Sequence, residues 1–169
     1  MPNIVKKNHV PARVTQPGME HLIGTFALAP RARSHEGPET LLELLNSPLR
    51  VIPFVRAADD AVLLLTRLGI DWVEADADVE PSWIRPRNAV VTREERVQIR
   101  LAEGRRIEGL LQVVLPEHLN RASDFLNTGD DFFPLITPNA TVLVNKARVT
   151  GIRLFEVSPE PVAAGLDPS

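Results

Sequence analysis

The chain contains no cysteine, no tyrosine and no long apolar run. Without cysteine, a disulfide framework, a thiolate zinc site and a cysteine nucleophile are all excluded. The longest apolar run, residues 61–65, is far shorter than the roughly 20 residues that a membrane-spanning helix requires. The first residues also lack the apolar segment typical of a signal peptide. We therefore expect a cytoplasmic protein without a membrane partner.

Recognisable catalytic and cofactor motifs are missing as well. The sequence has neither a glycine-rich phosphate loop nor a Gly-x-Ser-x-Gly nucleophile turn. The paired acids at 59–60 and 130–131 are interpreted as turn residues. The four histidines are not spaced as metal ligands; they are His9, His21, His35 and His118. We expect no enzyme, no cofactor and no metal.

Turn-forming residues are abundant by contrast. Fifteen prolines and nine glycines in 169 residues favour many short elements over long helices. The composition therefore predicts a mainly β protein.

A tandem repeat organises the chain. Leu-Asn-Ser at residues 45–47 recurs as Leu-Asn-Thr at 126–128, and a proline follows each asparagine by seven residues. The repeat anchors are Asn46 with Asn127, Pro53 with Pro134, Gly24 with Gly109, and Gly69 with Gly151. The predicted organisation is an N-terminal arm at 1–11, a first β repeat at 12–75, a linker at 76–94, a second β repeat at 95–157 and a flexible tail at 158–169.

The second repeat shows the predicted unit most clearly. Val97, Ile99 and Leu101 alternate with polar residues as in a half-buried strand, and Glu103-Gly104 predicts a turn into a second strand. A helix at 117–127 and strands at 132–136, 141–146 and 149–155 follow. Each unit thus reads ββαβββ, with one short helix and five short strands that close most easily as a small barrel.

Two of the anchor types admit more than one interpretation. Gly109 within its strand predicts a bulge or a sharp bend.

In the first unit the helix is predicted at 37–46, with Pro38 in its first turn. Asn46 and Asn127 are predicted to end their helices in the left-handed conformation, the alternative being a polar side chain directed at a ligand.

The segment from Val97 to Leu111 resembles the first motif of Sm-like proteins, with alternating apolar residues, a glycine turn at Gly104 and a second glycine at Gly109. The resemblance implies a small barrel and the possibility of RNA binding, with Asn120 near the family's nucleotide-contacting asparagine. The chain also resembles bacterial proteins with a Gly-x-Leu, Asp-Phe-Leu-Asn and Phe-x-x-Leu pattern, which implies no activity.

An arginine-rich stretch is the main candidate for a contact surface. Residues 85–106 hold seven arginines and three glutamates. If the hairpin is correct, Arg96, Arg100 and Arg106 share its solvent face, where they could meet phosphate or an acidic protein. The other candidate contacts are Trp83, Arg85 and Arg87, with Trp83 either anchoring the linker or binding a partner.

The expected function is a non-enzymatic protein-interaction or scaffold module, acting on another protein or by self-association. Exposed strand edges open to strand addition favour it. The alternative is an Sm-like RNA-binding module that uses the arginine-rich hairpin.

Overall fold

The computed structural model describes residues 8–19, 21–33, 35–86, 90–114 and 121–155. These residues form ten antiparallel strands and three short helices, which confirms the mainly β prediction. The strands are β1 (Asn8–Thr15), β2 (Leu22–Leu28), β3 (Val51–Arg56), β4 (Val62–Thr66), β5 (Trp72–Ala75), β6 (Arg93–Leu101), β7 (Arg106–Val113), β8 (Phe132–Ile136), β9 (Thr141–Asn145) and β10 (Val149–Leu154). The helices are α1 (Leu41–Leu45), α2 (Pro81–Ile84) and α3 (Ala122–Asn127).

All ten strands belong to one sheet, in the order β10-β6-β7-β8-β9-β5-β1-β2-β3-β4. The sheet is open, with β10 and β4 at its two edges. The predicted closed barrels are therefore not found. The reason is that β9 pairs with β5, a strand more than sixty residues earlier in the chain, instead of closing a barrel within its own unit.

The strand order is the same on both sides of the β5–β9 pairing. Residues 8–75, here called the first half, run β5-β1-β2-β3-β4, and residues 93–154, the second half, run β10-β6-β7-β8-β9. β1 begins at Asn8 and so includes the last four residues of the predicted arm. The predicted tail lies outside the described residues.

Counterparts in the two halves can be assigned from strand pairing. Thr25 lies opposite Val55 as Leu110 lies opposite Ile136. Pro53 lies opposite Leu64 as Pro134 lies opposite Leu143. The sequence offset between counterpart residues is therefore 85 from β1 and β2 to β6 and β7. It is 81 from β3 to β8, and 79 from β4 and β5 to β9 and β10.

This register corrects one predicted anchor. Gly69 ends the short 3-10 turn before β5, and its counterpart is Arg148 at the end of the same turn before β10. Gly151 lies inside β10 opposite Arg100, where the first half has Trp72 opposite Thr15. The predicted anchor Gly69 with Gly151 has an offset of 82 residues, whereas the shorter β8–β9 connection leaves the later strands at an offset of 79.

Gly24 and Gly109 are needed because backbone approaches them closely. A Cβ on Gly109 would lie 2.6 Å from the Ile136 carbonyl oxygen, and one on Gly24 would lie still closer to that of Val55. Both contacts fall below any real Cβ separation. No bulge occurs at Gly109, since β6 and β7 pair in continuous register, so the glycine marks a close approach of β8.

The helices correct two further details. α1 begins at Leu41 behind a capping box of Thr40 and Glu43, so Pro38 precedes the helix and is not in its first turn. Asn46 has φ −93° and ψ 2°, which is not the left-handed conformation predicted for it. α3 lies inside the predicted 117–127 helix, of which 117–120 lie outside the described residues.

Two buried clusters fill the two halves. The first core is built mainly from β1–β5 and α1, and the second from β6–β10 and α3. Phe132 and Leu143, from β8 and β9, are buried in the first core and not in the second. The second half therefore completes the core of the first. No helix among the described residues is long and apolar enough to cross a membrane.

Candidate interaction surfaces

The β5–β9 pairing, here called the inner junction, is the first surface of interest. Val73 of β5 lies opposite Leu143 of β9, and both side chains are fully buried. The Asn145 N–H extends the pairing by donating to the Asp71 carbonyl oxygen at 3.0 Å. All four residues from Val142 to Asn145 are buried, so β9 is covered on both faces.

Two asparagine side chains form hydrogen bonds across the inner junction. The Asn46 amide donates to the Phe132 carbonyl oxygen at 3.1 Å and accepts from the Phe132 N–H at 2.7 Å. Asn145 Nδ2 donates to the Ile70 carbonyl oxygen at 2.9 Å. Each side chain satisfies backbone groups of the opposite half, which makes its contact directional as well as stabilising.

Two ion pairs also cross the inner junction. Arg148 Nε donates to Asp71 Oδ1 at 3.0 Å, and Asp71 is fully buried. Arg67 Nη2 lies 3.5 Å from Asp131 Oδ2, and Asp131 is exposed. A buried carboxylate depends on its partner far more than an exposed one does, so the Asp71 pair is the more important of the two.

The two edges of the sheet are the second surface of interest. On β4, the face that carries Leu64 is open to solvent, whereas its counterpart on β9 is buried. Leu143 is 0% exposed and Leu64 is 67% exposed; Phe132 is 2% exposed and its counterpart Val51 is 40% exposed. The apolar pattern of the inner junction is thus repeated at a strand edge without a covering layer.

At the opposite edge, near β10, apolar residues of the second core are incompletely buried. Val149, Ile152 and Leu126 of the second half are only half-buried. Their counterparts Ile70, Val73 and Leu45 are fully buried, because Phe132 and Leu143 complete the first core. Asn127 on α3, the counterpart of Asn46, is exposed.

The third surface is the outer side of β6, β7 and β10, here called the arginine face. The predicted residues Arg96, Arg100 and Arg106 are all exposed, and Arg100 lies opposite Arg106. Arg153 of β10 joins them, and sequence reasoning missed it. Arg96 lies 3.7 Å from Glu108, and Arg96 and Arg153 both stack on Phe155, with Cζ atoms 4.7 and 5.2 Å from the ring centroid.

A pocket of about 360 Å³ opens between the remaining arginines of this face. Arg100, Arg106 and Arg153 line it, and Gly151 at its floor leaves room for the Arg100 guanidinium: a Cβ there would lie 2.8 Å from Nη2. Among the described residues, none of the three arginines forms an ion pair with a carboxylate. Their uncompensated positive charge suits a phosphate or carboxylate ligand.

The other predicted contact residues are not part of the arginine face. Trp83 on α2 is half-buried and packs against the first core. Arg85 lines a separate apolar pocket beside Phe125 and Lys146, where burial lowers the pKa of both cations. Arg87 lies outside the described residues.

Asp59, one of the paired acids, and His35 both form local contacts. Arg56 donates two hydrogen bonds to Asp59, which lower the pKa of that carboxyl group to about 2. His35 Nε2 lies 2.7 Å from Glu43 Oε1 and Nδ1 lies 2.9 Å from the Glu36 carbonyl oxygen. In the described ranges no group of three His, Asp or Glu side chains could hold a metal ion. His118 and Asn120 lie outside them.

Comparisons with protein-family models, with curated proteins and with solved structures found no match.

Proposed function

We propose that the chain is a non-enzymatic interaction scaffold made of two copies of one β unit, which engages protein partners by strand addition at its open edges. The carrying observation is the contrast between two strands with similar apolar sequences. β9 lies between β8 and β5 and is buried on both faces, whereas β4 pairs only with β3 and exposes Leu64. Strand edges with uncovered apolar side chains bind added strands through backbone hydrogen bonds and side-chain contacts.

The proposed duplication is supported by coincidences that one fold would not require. Gly24 and Gly109 are approached by carbonyl groups of residues that are themselves counterparts, Val55 and Ile136. The elements follow the same ββαβββ order in each half, and the five strands take the same places in the sheet. A single ancestral unit joined edge to edge accounts for all of these features.

Cross-linking followed by pull-down from the cells that make the protein tests the proposal. We expect wild type to retain at least one protein partner, and Leu64→Lys to lose it, because a charge would be placed at the edge where an added strand packs. Val90→Lys is the matched control, since Val90 is 75% exposed and lies outside the ten strands. Retention of every partner by Leu64→Lys would contradict strand addition at this edge.

A second candidate, binding of RNA at the arginine face, is favoured by the pocket between Arg100, Arg106 and Arg153. The test is binding of a mixed-sequence single-stranded RNA as a function of salt. We expect the double change Arg100→Glu with Arg106→Glu to abolish binding and Arg31→Glu with Arg33→Glu to preserve it. Each phosphate contact should contribute about 0.7 to the slope of log affinity against log salt. Absence of binding at low salt would rule this candidate out.

A further inference from the structure

The inner junction also indicates what covers the open edges. We infer that the chain self-associates head to tail: β10 of one copy pairs with β4 of the next copy in the register that β5 and β9 use within one chain. This inference rests on the proposed scaffold function and names its partner, which is a second copy of the same chain.

The register follows from the counterparts. Val73 lies opposite Leu143 in the inner junction, so Ile152 of one copy would lie opposite Leu64 of the next. Leu64 and Val51 would then cover the half-buried residues of the second core, as Leu143 and Phe132 cover the first. The two uncovered apolar surfaces are thus complementary.

Asn127 gains a specific partner in this arrangement. Its counterpart Asn46 holds the backbone N–H and carbonyl of Phe132 in the other half. The counterpart of Phe132 is Val51, so the exposed Asn127 amide of one copy is positioned to bind the Val51 backbone of the next. The recurrence of Leu-Asn-Ser and Leu-Asn-Thr is then explained by one contact made twice.

The β4 sequence supports burial on both faces. Residues 62–65, Val-Leu-Leu-Leu, form a continuous apolar run, which is typical of a strand covered on both sides, whereas an edge strand with one solvated face alternates. In the isolated chain Val62 and Leu64 are both largely exposed. A neighbouring copy would supply the second cover.

The charges predict how this association differs from the inner junction. Arg67 and Asp131 attract each other across the inner junction, but their counterparts are Lys146 and Arg50, which have the same sign. The Asp71–Arg148 pair has the uncharged counterparts Thr150 and Gly69. Association between copies should therefore be weaker than the inner junction, and it should strengthen with added salt, which screens the repulsion.

Size-exclusion chromatography with light scattering on the purified full chain is the direct test, from micromolar to near-millimolar concentration. We expect masses that rise toward multiples of 18.7 kDa, and more so in high salt. Leu64→Lys should weaken association by roughly tenfold or more, as for a central apolar residue of an interface. Arg50→Asp should strengthen it roughly two- to fivefold at low salt, by restoring an attractive pair with Lys146. Val90→Lys should leave it unchanged.

Mixing two blocked variants tests the polarity of the interface. Leu64→Lys blocks the β4 edge and Asn127→Arg blocks the α3 side of the β10 edge, so each variant alone should remain monomeric. Together they retain one functional edge each, and we expect a two-chain species and nothing larger. A symmetric β4–β4 dimer would instead be insensitive to Asn127→Arg, and that result would overturn the head-to-tail arrangement.

The failure of self-association can be separated from failure of the scaffold function. If both wild type and Arg50→Asp stay monomeric at every protein and salt concentration, the proposed self-association is overturned. If that monomer still captures a different protein in a Leu64-dependent manner, only the identity of the partner is wrong. If no Leu64-dependent partner is found either, both proposals fail.

Discussion

The two halves of the molecule share a strand order and differ in what their outer strands carry. On the second half, Arg100, Arg106 and Arg153 surround an open pocket. Their counterparts on the first half are Thr15, His21 and Glu74, and there Thr15 Oγ1 lies 2.9 Å from His21 Nδ1 in a local hydrogen bond. The same positions in the sheet thus form a cationic surface in one half, whereas in the other half they hold a threonine–histidine hydrogen bond and a carboxylate.

The two halves also differ in whether the edge strand beside the core, β5 or β10, is paired with another strand. The first half contributes its β5 edge to the inner junction and receives two large apolar side chains that complete its core. The second half contributes β9 and keeps its own β10 edge open. Comparing the halves teaches that the first half depends on the second for two core side chains, whereas the second half keeps part of its own core uncovered.

The largest expected difference concerns the close-packed glycines. Gly24→Ala should destabilise the protein by more than about 3 kcal/mol, because the new Cβ would overlap the Val55 carbonyl, which is fixed in β3. Gly109→Ala should cost somewhat less, about 2 kcal/mol, since its overlap is smaller. Urea denaturation of both variants measures the difference. Equal stability of wild type and Gly24→Ala would contradict the close approach.

The inner-junction ion pair should rank next. Arg148→Ala removes the partner of the fully buried Asp71 and should cost about 3 kcal/mol in the free energy of unfolding. Arg153→Ala, five residues later in β10 and exposed, is the matched control and should change stability by less than about 0.5 kcal/mol. If the two changes had the same cost, Asp71 would not depend on Arg148.

The two asparagines provide the sharpest test of the comparison. Asn46→Ala should destabilise the monomer by about 2 kcal/mol, because it leaves two backbone groups of Phe132 without their partner. Asn127→Ala should leave the unfolding free energy of the monomer within about 0.5 kcal/mol, since its exposed amide forms no hydrogen bond to the other half among the described residues. Thermal denaturation at low protein concentration separates the two. A similar loss for both would show that the asparagine serves its own helix.

The smallest effect is expected from His35, in the connection between β2 and α1. Its pKa is raised by the hydrogen bond to the Glu36 carbonyl and then by Glu43. A raised pKa means that the stabilisation is fully present below the ordinary value of 6.5 and is lost as pH rises through the folded value. An NMR titration should show this pKa above 6.5, and Glu43→Gln should lower it. An unshifted His35 would contradict the pair.

The local structure could be predicted from sequence because local periodicity determines it. The alternation of Val97, Ile99 and Leu101 predicted β6 and the inward direction of those side chains, and Gly104 predicted the turn that follows, where it has φ 82°. The same alternation put Arg96, Arg100 and Arg106 on one solvent face, where the structure has them.

The inner junction could not be predicted, because its contacts join residues that are far apart in sequence. Nothing local to Asp71 indicates that Arg148 will neutralise it, and Asn46 was assigned to helix termination since that is its common local use. The prediction of closed barrels was wrong for the same reason. The number of strands favours closure within each unit, but β9 pairs with β5 of the other half. One usable signal was the run Val142-Leu143-Val144, whose continuous apolar character indicates burial on both faces.

Covalent linkage of the two halves has a consequence for stoichiometry and dilution. The inner junction is intramolecular, so its occupancy does not depend on protein concentration, and the smallest particle reached on dilution still contains both paired halves. Any larger assembly of these chains must contain the two halves in equal number. The arginine face would then recur once per chain, so that a long anionic ligand would meet cationic sites at the spacing of whole chains.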